Sequence, residues 1–130
     1  MVPLTSLFAC VVTLLVSLVL PPVILLVFAL KNKKQGIVSA WLLGACGFVM
    51  PQLLIRLPVL TFLQGQSGFA SFAENHAFLY VLSLAFTAGL FELAGRFASA
   101  KCMEKNLSWK RSLAAGLGHG GIEAMLLIGM

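Results

Sequence analysis

Four long apolar runs, separated by three short polar stretches, organise the chain. The first extends from Pro3 to Leu30, the second from Ile37 to about Leu63, the third from about Ala77 to Phe97, and the fourth from about Trp109 to Met130. Each is long enough to cross a bilayer, which takes roughly 20 apolar residues as a helix. The predicted fold is therefore all-α: a polytopic transmembrane helix bundle of about four spans, 5–30, 37–63, 77–97 and 109–130, forming one integral membrane domain. The first run is too long for a signal-peptide core and has no Lys or Arg ahead of it, so it reads as a span and not as a cleaved leader. Pro21 and Pro22 lie inside it and predict a kink or an end to the regular helix, while Pro51 and Pro58 break the outer half of the second run.

Composition removes the soluble alternatives. Hydrophobic residues make up 60% of the chain and charged ones 10%, with a mean hydropathy of +1.01; a soluble domain carries charge on nearer a quarter of its residues. The charges are placed unevenly. Lys31, Lys33 and Lys34 fill the first connection, Lys101, Lys105, Lys110 and Arg111 the third, and residues 64–76 hold neither Lys nor Arg. By the positive-inside rule, loops 31–36 and 98–111 are expected in the cytoplasm, with both termini on the opposite side of the cell membrane. The net charge of +5 is mostly this asymmetry, so the expected partner is the lipid bilayer with its anionic headgroups, and no nucleic acid. Cys10, Cys46 and Cys102 are far apart and match no metal or redox spacing.

Polar side chains inside the spans carry the chemistry. Aspartate is absent, and of the four glutamates Glu74 and Glu104 fall in loops. Glu92 and Glu123 do not. An ionisable group within a span is costly and normally faces the protein interior with a partner. Glu92 and Arg96 are four apart in "FELAGRF", and His119 and Glu123 are four apart in "HGGIE", so each pair shares a helix face. Glu92 lies nine residues before Lys101 and His119 eight after Arg111, which sets both about 12–13 Å from the basic boundary. Arg96 should lie nearer that boundary and Glu123 deeper. If the two faces oppose each other, Glu92 and His119 converge, with a guanidinium below them and a second carboxylate above.

Gly116, Gly118, Gly120 and Gly121 surround His119 and leave room for a neighbouring helix or an extended substrate. A Glu and a His that hold one water can hydrolyse an amide, the Glu as general base and the His as orienting or electrophilic partner. Alternatively Glu92, His119 and Glu123 ligate a divalent metal such as zinc that lowers the pKa of its water, although such sites usually want three or four protein ligands and the spacing is not that of the HExxH motif. Two other function classes compete. A small proton-coupled exporter would carry its glutamate in the first span, which has no ionisable residue before Lys31. A non-catalytic scaffold or immunity-type partner protein would tolerate apolar replacement of the Glu92–Arg96 pair. Arg56, with Gln52 one turn before it, is expected to snorkel to the outer headgroups, and His76 to lie in the outer loop.

"FELAGRF" followed by "GLGHGGIEAMLLIG" resembles the first two signature motifs of the YhfC family of intramembrane proteases, relatives of the CAAX-processing, bacteriocin-processing and PrsW-type membrane proteases. The resemblance implies peptide-bond hydrolysis inside the membrane by a helical bundle. It implies catalytic roles for Glu92 and Arg96 from the first motif and for His119 and Glu123 from the second. The substrate it implies is a membrane protein or a lipidated or hydrophobic peptide. Where the family pairs two glutamates, this chain has Leu93 at the second position. Family members are also about twice as long and bring a further histidine from a later span, so a chain truncated at its C-terminus is expected, working as a homo-oligomer or with a complementary second half.

Overall fold

In a computed structural model, which describes residues 3–33 and 35–128, the chain is helical almost throughout, with no strand among the described residues. Helix α1 spans Leu4–Lys31 and α2 spans Ile37–Phe48. A π-helical stretch, Val49–Arg56, continues α2 into α3, Leu57–Gln64. Helix α4, Ser67–Asn75, precedes the long α5, Ala77–Met103, and α6 covers Trp109–Ile128. Residues 64–76, expected as a loop, thus contain a short helix, and α5 continues past Phe97 to Met103. Lys34, Gly129 and Met130 lie outside the described residues.

Among the described residues, three segments are long and apolar enough to cross a membrane: Leu4–Lys31, Ile37–Gln64 and Ala77–Asn106. The expected fourth, α6, forms a helix of 20 residues but is not among them, because Gly, His and Glu dilute its apolar content. Helix α6 packs against α2 and α1 and buries Ala114, Ala115, Gly118, His119 and Gly121, while Ser112, Leu113, Gly116 and Gly120 stay exposed. Helix α1, by contrast, buries only Ser17 among its described residues and exposes a nearly continuous apolar surface, as a lipid-facing span does. It passes through Pro21 and Pro22 as one helix, not two.

The bundle is organised around α2, which packs along α6 on one side and α5 on the other. Small residues set both seams. A Cβ added to Gly44 would collide with the Ala115 backbone of α6, and one added to Gly118 would collide with the Trp41 backbone of α2. Gly47 and Gly95 play the same part between α2 and α5. The Ser99 hydroxyl crosses that seam, donating to the Leu43 carbonyl at 2.8 Å or to Gly95 one turn back at 2.9 Å. Close backbone approach at small residues is how helices associate in lipid, where the hydrophobic effect offers no preference for helix over acyl chain.

The two basic connections meet at one end of the molecule. Lys110 Nζ donates to Asn32 Oδ1 at 2.8 Å, and Arg111 Nη1 reaches the Gln35 carbonyl at 3.5 Å. Beneath them the core gathers Ile37, Ala40, Met103, Ala114 and Ala115. His76 caps the far end of α5, remote from this end.

Candidate active site

Arg96 joins the two predicted pairs. Its Nη2 lies 3.4 Å from Glu92 Oε2, one turn back on α5, and its Nε lies 3.5 Å from His119 Nε2 on α6. The guanidinium thus stands between the carboxylate and the imidazole, where the sequence placed it below both. Both contacts are long for charge-assisted hydrogen bonds, which run nearer 2.7–2.9 Å. His119 is only 3% exposed, and its ring meets Phe48 edge-on at 5.5 Å between centroids. Its Nδ1 is buried with no hydrogen-bond partner.

Helices α5 and α6 hardly touch, because α2 lies between them at this level. The gap is a cleft of about 380 Å³ lined by Arg96, Ser99, Met103, Gly116, His119 and Gly120, with Gly44 of α2 among its lining residues. The four glycines around His119 divide accordingly. Gly118 packs on α2 and Gly121 on Pro21 of α1, whereas Gly116 and Gly120 face open space, with nothing within 4 Å of an added Cβ. Packing explains the first two. It does not explain the last two, which widen the cleft along α6.

A second cavity, of about 130 Å³, lies beyond Phe48. Glu92 and Glu123 line it together with Gln52 and Arg56. Arg56 does not snorkel outward as expected: its Nη2 donates to the Leu84 carbonyl of α5 at 2.8 Å and its Nη1 to Gln52 Oε1 at 3.4 Å. Gln52, 6% exposed, donates to the Ala88 carbonyl at 3.0 Å. The four-residue spacing of Gln52 and Arg56 announces a shared face; what the sequence does not announce is that this face turns toward α5.

The metal alternative meets a geometric obstacle. Histidine and carboxylates are suitable zinc donors, but among the described residues no group of three His, Cys, Asp or Glu is placed to hold one ion. Glu92, His119 and Glu123 are therefore not an assembled ligand set. The Arg96 N–H is directed at His119 Nε2, a lone pair that a metal would need, and a guanidinium there repels a cation. As arranged, these residues do not fit a bound metal.

A YhfC protein of Bacillus subtilis (strain 168), described as an "Uncharacterized membrane protein", is 30% identical over 101 residues, or 77% of this chain. The alignment covers 39% of that relative, so the chain spans about two fifths of its length. No solved structure matches the chain. The match to the YhfC intramembrane metalloprotease family extends over residues 16–130 and so takes in both polar helix faces, the Gly44 seam and the Gln52–Arg56 turn; the chain belongs to that family.

Proposed function

We propose that this chain carries the water-activating residues of an intramembrane peptidase that cuts membrane proteins or lipidated or hydrophobic peptides. Glu92 accepts a proton from water, the resulting hydroxide attacks the carbonyl carbon of the peptide bond, and the proton passes to the amine nitrogen as the C–N bond breaks. His119 orients the carbonyl or stabilises the oxyanion, and Arg96 holds Glu92 and His119 in register. The basic loops lie on the cytoplasmic side, the termini opposite, and the site in the cytoplasmic half. The observation that carries the reading is the Glu92–Arg96–His119 chain of contacts on the wall of a cleft that Gly116 and Gly120 keep open.

The test is cleavage of a panel of transmembrane peptides in liposomes, with new amino termini read by mass spectrometry. Glu92→Gln keeps the size of the side chain and removes the base, so cleavage should fall by at least about 100-fold. Cleavage at the normal rate would sink the assignment.

A second reading is favoured by the incomplete donor set: the chain is inactive alone, and a second copy or another polypeptide completes its site. It predicts no cleavage by the isolated wild-type chain and recovery when the completing polypeptide is reconstituted with it.

A further inference from the structure

The smaller cavity holds an arrangement that the hydrolytic roles above do not use. Arg56 and Glu123 line the same space, and among the described residues neither takes part in an ion pair. Arg56 spends two of its nitrogens on Leu84 and Gln52, while its Nε is buried without a partner. A cation and an anion carried on membrane-spanning helices and facing one cavity demand compensation. Direct contact does not provide it. Three helices contribute polar side chains to the cavity's largely apolar walls, and about 130 Å³ is room for several waters, each with a share of about 30 Å³ and needing two to four polar partners.

We infer that this cavity is a hydrated chamber whose waters bridge Arg56 to Glu123 and reach Glu92, with Gln52 and Arg56 as its positioning residues. The Phe48–His119 contact separates it from the larger cleft. Water and peptide therefore approach the Glu92–Arg96 pair from opposite sides: Glu92 lines the chamber and Arg96 lines the cleft. The delivery of that water to a scissile bond rests on the peptidase reading; the hydration of the chamber does not.

The chain has four glutamates and no aspartate, so carboxyl-13C glutamate labelling of the full chain in lipid bilayers yields a small set of side-chain signals. Water-to-carbon magnetisation transfer should build up at Glu92 and Glu123 about as fast as at the exposed Glu74 and Glu104. Ala88→Leu fills the chamber from α5 and should slow transfer to Glu92 and Glu123 several-fold, leaving Glu74 and Glu104 unchanged; Ala88→Val is the milder filler should Leu prevent insertion. Arg56→Gln should slow transfer to Glu123, and Arg56→Lys should restore it. Dry-core build-up at Glu92 and Glu123 in the wild type, or indifference to filling, overturns the chamber. In the cleavage assay, Ala88→Leu should lower kcat and leave KM unchanged, and unchanged kcat overturns the delivery of water. Failure of Glu92→Gln to slow cleavage would remove the peptidase reading while the transfer measurement still decides hydration.

Discussion

At the residue scale, Arg96 has the most demanding position. Its two contacts use two different nitrogens of one planar group, Nη2 toward Glu92 and Nε toward His119. Lysine keeps the charge but gathers its three N–H donors on one atom, so it does not match two partners set at two nitrogens of a planar group. Arg96→Lys should therefore reduce peptide cleavage by several-fold, while the unfolding temperature in detergent stays nearly constant, because the two contacts are long and the side chain is 60% exposed. Equal activity in the lysine variant would show that charge alone suffices. The pairing of Glu92 with Arg96 was legible from spacing, since four residues return to the same helix face. The contact of Arg96 with His119 was not, because it depends on how far apart α5 and α6 are held.

At the scale of elements, the glycines near His119 separate two functions that look alike in sequence. Gly118→Ala forces a Cβ into the Trp41 backbone and should destabilise the bundle by about 1–3 kcal/mol. Gly120→Ala meets nothing and should be neutral, or stabilising by up to about 1 kcal/mol through helix propensity. Thermal unfolding in detergent checks both. If the cleft admits peptide, Gly120→Ala should nevertheless raise KM. The π-helical stretch has a local cause as well. Pro51 lacks an N–H and its ring clashes with the carbonyl four residues back, that of Gly47, so the helix widens there. Gly95 across the seam leaves space for that carbonyl. Sequence showed that Pro51 disturbs the helix but not which way Gln52 and Arg56 would turn afterwards.

At the scale of the molecule, the contacts Lys110–Asn32 and Arg111–Gln35 bring both basic connections to one end, as their shared charge had suggested. If that end is cytoplasmic, Cys102, exposed beside Lys101, should react with a membrane-impermeant thiol reagent added to inverted vesicles and not to intact cells. Cys10 and Cys46 lie within apolar spans and should stay unlabelled from either side without detergent. Labelling of Cys102 in intact cells would invert the topology.

The sequence by itself determined the helical class, the long apolar segments, the polar connections and the four-residue spacing that sets Glu92 with Arg96 and His119 with Glu123 on shared helix faces. All of these follow from composition or from the 3.6-residue period, which are local properties of a chain. Tertiary structure decided that α2 stands between α5 and α6, so that the two polar faces meet across a cleft where Arg96 reaches His119. It also decided that Gly118 packs while Gly120 stays open, that Arg56 turns inward, and that the acidic pair lines a chamber apart from the histidine. Each of these depends on where one helix crosses another, and the crossings are set by small residues on both partners. One helix read alone shows which face is polar, not what that face will meet.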